Sequence, residues 1–187
     1  MKMLSAALLL FASTVAHAGV LNFYTTLAPE GAGGRTGSGS ARISFDDTSN
    51  VLSFSVDFAG LSGLTTQAHF HCCTAQPFLG TAGIAVDSPS LPIPTGVSAG
   101  SFSGALDLDD AENFNATFLA ASGGTTALAT ARFIENIYSH RVYLNIHSTT
   151  FTGGEIRGFL VPEPTSAALA LLALTALGAL GRKQRQA

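Results

Sequence analysis

The stretch "NVLSFSVDFAG" (50–60) restricts the fold of this chain more than any other feature. In an extended backbone, Leu52, Phe54, Val56 and Phe58 fall on one face, and Ser53, Ser55 and Asp57 on the other. A period of two is the signature of a strand with one packed face, because successive side chains of a pleated backbone alternate sides. "SARISFDD" just before it repeats the pattern, with Ala41, Ile43 and Phe45 set against Arg42 and Ser44. The "DDTSN" between them is turn chemistry, so the two runs are expected to form a hairpin.

The same reading finds strands in "GVLNFYTTL", "LTTQAHFH", "AGIAV", "SAGSFSGALDL", "RVYLNIHS" and "GEIRGFLV". Many short alternating strands separated by turns predict a mainly β, antiparallel sandwich or barrel. A helical insert breaks the series. "DDAENFNATFLAASGG" opens on acids and closes on a glycine pair, and "TTALATARFIENIYSH" follows it. In the second segment Leu128, Ala131, Ile134 and Tyr138 have roughly helical spacing, which predicts the packed stripe, with Arg132 and Glu135 paired on the wet side. Two short helices are expected to cap one end of the sheet. "EGAGGRTGSGS" reads as a flexible loop, since it lacks the lysine and the strand–loop–helix setting of a phosphate cradle.

Both ends read as processing segments. Lys2, the apolar "LSAALLLFASTVA" and the small-x-small "AHA" make residues 1–18 a secretory signal peptide. At the other end "VPEPTSAALALLALTALGALGRKQRQA" carries Pro162, Glu163 and Pro164, an uncharged run over 165–181 and a basic tail. That run is at the short end of what spans a bilayer, and Arg182, Lys183 and Arg185 would hold the tail in the cytoplasm. The order resembles the PEP-CTERM sorting signal of Gram-negative bacteria. The resemblance implies an exosortase-type partner that removes the transmembrane helix, so that a chain transiently anchored in the inner membrane reaches the cell surface or an exopolysaccharide matrix. The domains are then 1–18 signal peptide, 19–161 globular domain and 162–187 sorting signal.

Over 19–160 the chain holds five arginines, no lysine and eleven carboxylates, a net charge of −6. Phosphate binding needs a basic patch, so this balance argues against nucleic acid. No Cys/His pair has a clear orienting partner, which argues against a hydrolase built on such a pair.

The chemistry-bearing residues gather in "AHFHCC". On a strand, Ala68 and Phe70 point inward while His69 and His71 project from the opposite face. They stand roughly 6.5–7 Å apart, close enough to share one ion at bonds of about 2.0–2.1 Å. "RVYLNIHS" puts Tyr143, Asn145 and His147 on one face, and the run after the following loop brings Glu155 and Arg157. Glu155 is expected across from His147, as an acceptor orienting the imidazole or as a further ligand. Cys72 and Cys73 are adjacent, and export leaves three options open: a vicinal disulfide, thiolate ligands, or two plain thiols. On a continued strand Cys73 shares the histidine face and is the better ligand. The expected ligand set is therefore His69, His71, His147, Glu155 and Cys73, with copper or zinc as the ion that imidazole and thiolate suit.

"AHFH", then "YLNIHS", then "GGEIRGFL", with "TLAPEGAGGRTGSGSARISFD" and "VLSFSVDFAGL" before them, resemble the CHRD domain, a module named for its repeats in chordin. The resemblance covers nearly all of residues 20–161, and departs after His71, where many members have a glycine-rich turn in place of two cysteines. It implies an immunoglobulin-like sandwich or barrel found in extracellular proteins, and no established enzyme activity. The expected role is a non-enzymatic binding or structural module whose partners are extracellular polysaccharide or surface proteins. The His-x-His pattern is similar to the copper ligands of Cu/Zn superoxide dismutases, which makes a metal-binding redox protein the alternative. Once His17 leaves with the signal peptide, only His69, His71, His140 and His147 remain to serve it. A third option keeps those imidazoles structural, tied to Asn145, Glu155 or backbone.

Overall fold

The computed structural model describes residues 19–86 and 91–163. Nine strands, β1 (Val20–Pro29), β2 (Ser38–Asp46), β3 (Val51–Ala59), β4 (Thr65–Cys72), β5 (Ile84–Val86), β6 (Gly100–Asp107), β7 (Val142–Ser148), β8 (Ile156–Phe159) and β9 (Val161–Pro162), join in one sheet. Its order is β5-β4-β7-β8-β1-β2-β3-β6, with β9 also on β1, and every pairing is antiparallel. The expected mainly β, antiparallel architecture is therefore present, in the form of a single curled sheet, a half-barrel. The expected signal peptide, the transmembrane helix over 165–181 and Pro164 lie outside the described residues.

The curl comes from β1. Its body pairs with β2 from Val20↔Asp46 to Leu27↔Gly39, while its end, Ala28 and Pro29, pairs with β8. One strand thus serves both halves, and the packed faces of the halves meet. Phe54 of β3 lies edge-on to Phe70 of β4 at 6.1 Å, and Phe102 of β6 lies edge-on to Phe54 at 6.2 Å. The β2–β3 hairpin keeps the register the alternation requires, Ile43↔Phe54 and Phe45↔Leu52, so all four side chains enter one core.

Helices α1 (Ala116–Ala121) and α2 (Thr126–Tyr138) occupy the predicted insert, preceded by a single 3-10 turn. Asn115 and Thr125 cap them by accepting from the N–H groups of Thr117 and Leu128. The packed stripe of α2 differs from the predicted one. Ala129, Phe133 and Ile137 are buried, at i, i+4 and i+8, and Phe133 meets Phe70 at 6.1 Å. Leu128 is 53% exposed and Tyr138 49%. The two stripes share the helical period but lie on different faces of the helix, and the larger Phe133 takes the core. Arg132 does not pair with Glu135. It donates to the Ala121 carbonyl at 3.0 Å and lies over the Phe118 ring, tying α2 to α1.

The second face of β4 and β7 is also covered. Alternation predicts a wet face there, yet every residue of β7 is buried. The segment between β4 and β5 folds back over it: Phe78 stacks on His140 at 4.4 Å and meets Phe159 at 5.9 Å, and Ala82 lies against Tyr143. Strand periodicity reports which side chains share a face, and says nothing of a loop that later covers that face.

Candidate metal centre

Strands β4 and β7 pair with His69 opposite Asn145, His71 opposite Tyr143 and Gln67 opposite His147. His147 therefore lies diagonal to His69 on one face of the sheet, within reach of a ring. His69, His71 and His147 converge there: one nitrogen from each falls within a group no wider than 4.8 Å. His69 Nδ1 and His147 Nε2 stand 3.3 Å apart. The rings are 3%, 7% and 8% exposed, respectively.

Outer hydrogen bonds fix which nitrogen each ring presents. His71 Nδ1 lies 3.0 Å from the Ala82 carbonyl, and His147 Nδ1 lies 2.8 Å from the Thr152 carbonyl. A carbonyl only accepts, so both Nδ1 atoms carry the proton, and in the neutral rings both Nε2 atoms carry a lone pair. His71 Nε2 is buried without a hydrogen-bond partner. His69 Nδ1–H can donate to His147 Nε2; with its proton on Nε2 instead, His69 presents a third lone pair to the same point. Burial disfavours the charged form of His69 and of His71. It lowers His69 to about 4, helped by the neighbouring His147 and His71. His71 is lowered as well, chiefly by burial and against the opposing pull of the Ala82 carbonyl.

A frame of polar groups holds the cluster. Tyr143 stacks flat on His71 at 4.8 Å, and its hydroxyl both accepts from Ala82 N–H at 3.2 Å and reaches the Ala82 carbonyl at 3.3 Å. Arg157 lies over Tyr143 at 4.9 Å, pairs with Glu30 at 3.1 Å and donates to the Gly80 carbonyl at 2.8 Å. Glu30 also accepts from the Asn145 amide at 2.7 Å. Sequence reasoning missed Glu30, which it placed in a flexible loop. Its partners, Asn145 and Arg157, lie more than a hundred residues further along the chain, and no local pattern announces them.

Two expected ligands are not brought to the cluster. Glu155 turns to the other side and accepts from Ser62 N–H at 2.5 Å, Ser62 Oγ at 2.6 Å and Gly63 N–H at 3.3 Å. Gly154 takes its place beside Asn145 and Glu30, in a backbone conformation (φ +126°) that glycine adopts freely. Cys73 is bonded to Cys72, so of the three options for the cysteines the structure has the vicinal disulfide, and neither sulfur is a thiolate. His140 stacks on Phe78, away from the other three. Of the sorting residues, Pro162 pairs with Phe23 in the sheet and Glu163 meets Arg42 at 3.2 Å on the surface.

Fold and site together define a mainly β antiparallel half-barrel with a buried imidazole cluster under its covering loops. The chain belongs to the CHRD domain family, whose match spans residues 23–160. Residues 160–186 match the PEP-CTERM protein-sorting motif. That motif is a sorting signal recognised by an exosortase, so the chain is an exported protein sorted to the surface by such an enzyme. No curated protein and no solved structure matches the chain.

Proposed function

We propose that this protein is a non-enzymatic module of the cell surface or exopolysaccharide matrix, where the CHRD domain binds or scaffolds other components. The observation that carries the reading is the order of the two matches, a CHRD domain ending where a sorting motif begins. Synthesis with a signal peptide at 1–18, transient anchoring by 165–181 and release by exosortase complete the route. Intact mass of the chain recovered outside the cell tests it. Loss of both end segments is the expected result, and a full-length chain retained in the inner membrane would overturn it.

The imidazole cluster favours a second reading, in which the module holds copper or zinc. Two nitrogens bound to one ion at about 2.0–2.1 Å in tetrahedral geometry stand about 3.3–3.4 Å apart. His69 Nδ1 and His147 Nε2 have that spacing at 3.3 Å. Carbonyls on the outer nitrogens of His71 and His147 are the usual support of ligating imidazoles. Elemental analysis of the purified chain is expected to find one copper or zinc, absent from the variant carrying His69→Ala and His71→Ala. Metal-free wild-type protein after loading sinks this reading and leaves the first intact.

A further inference from the structure

Resting on the metal-binding reading, we infer that the ion this cluster takes is monovalent copper, Cu(I), in preference to Zn(II) or Cu(II). The argument is one of charge. The three donors, His69 Nδ1, His71 Nε2 and His147 Nε2, are neutral, and no carboxylate or thiolate joins them among the described residues. The acids that neutralise a divalent ion in other sites are committed here. Glu155 is engaged with Ser62 and Gly63, and Glu30 with Arg157 and Asn145. The disulfide removes the thiolates.

The charges nearest the cluster, Arg157 and Glu30, pair with each other and add no net negative charge. The Arg157 guanidinium lies over Tyr143, whose ring stacks on His71. All three rings are at least nine-tenths buried, so an ion there gives up most of its hydration. The cost of removing an ion from water grows with the square of its charge, about fourfold from one charge to two. Neutral donors with no net negative charge beside them recover less of that cost for a divalent ion. Coordination number points the same way. Zn(II) with three protein ligands keeps a water or substrate in a fourth, open position, whereas Cu(I) is satisfied by three nitrogens alone.

The test is a competition titration of the purified full chain. Cu(I) is supplied without oxygen against a coloured Cu(I) chelator, and Zn(II) and Cu(II) against chelators of their own. One Cu(I) per chain, held at least about a hundredfold tighter than either divalent ion, is the expected result. Equal or tighter binding of Zn(II) or Cu(II) overturns the preference while leaving the triad a metal site. Failure of all three ions to bind removes the site itself. His147→Gln, checked for folding by its thermal melt, is expected to lose Cu(I). Unchanged Cu(I) affinity in that folded variant also overturns the inference.

Discussion

Ser62 gives both its backbone N–H and its hydroxyl to Glu155, 93 residues further along the chain. Together with Gly63 N–H this fixes the loop before β4 onto the start of β8. Burial alone would raise the Glu155 carboxyl, but the hydrogen bonds from Ser148, Ser62 and Gly63 outweigh it and the net shift is downward. Removing the carboxylate leaves buried donors unpaired. Glu155→Ala is expected to cost about 2–3 kcal/mol in denaturant unfolding, and Glu155→Gln, which keeps an acceptor, about half as much. The carboxylate's contribution is complete above its ordinary value of 4.5 and is lost as pH falls through the lowered folded value. A Glu155→Ala protein as stable as wild type at pH 7 contradicts this role.

The histidine cluster acts at higher pH. An imidazole ordinarily titrates near 6.5, and burial with its two neighbours lowers His69 to about 4. Between those values the unfolded chain binds the proton and the folded chain does not, so stability rises with pH across the window. It is complete above about 6.5, declines as pH falls, and levels off below about 4. Thermal melts of the metal-free chain from about pH 7.5 to about pH 4.5 are expected to show this decline, and His69→Asn to flatten it. An unchanged slope in that variant counts against a buried neutral ring.

The backbone beside the cluster sets a third expectation. A Cβ at Gly154 meets Glu30 Oε2 and both side-chain polar atoms of Asn145, whereas one at Gly124 meets nothing within 4 Å. Both glycines have positive φ, +126° and +79°. Gly124→Ala should therefore cost only the conformational penalty, about 1 kcal/mol, and Gly154→Ala about 2 kcal/mol more from the clash. Equal losses in denaturant unfolding would show that the Glu30–Asn145 contact yields without cost.

Strand patterning made most of this fold legible in the sequence. Leu52, Phe54, Val56 and Phe58 announce their face by period alone, and the structure buries all four. Helix phase was less legible, because Ala129, Phe133 and Ile137 and the rival stripe through Leu128 and Ala131 share the same period. At the site, His69, His71 and His147 were readable because each alternates with a core residue on its own strand. Glu155 was not, since one residue with positive φ, Gly154, shifts the alternation. Glu30 and Ala82 were not, since they come from segments whose docking depends on contacts distant in sequence.

The phase of α2 can be tested directly. Phe133 is fully buried against Phe70, and Leu128 is largely exposed. Phe133→Ala is expected to cost about 3–5 kcal/mol, as deletion of a buried aromatic does, and Leu128→Ala about 0.5 kcal/mol or less. A reversed order in denaturant unfolding would restore the stripe through Leu128.

Tyr143 separates support of the cluster from mere packing. Its ring covers His71, while its hydroxyl engages the N–H and carbonyl of Ala82. The same carbonyl holds His71 Nδ1–H and so keeps the lone pair on Nε2. Tyr143→Phe retains the stacked ring and removes only the hydroxyl, so the Ala82 segment loses its anchor and His71 its fixed orientation. Loss of such an outer partner typically lowers metal affinity about 10- to 100-fold. The expected outcome is a drop of about tenfold in copper affinity by competition titration, with a stability loss of only about 1 kcal/mol. A hydroxyl that served packing alone would lower the melting temperature and leave copper affinity where it was.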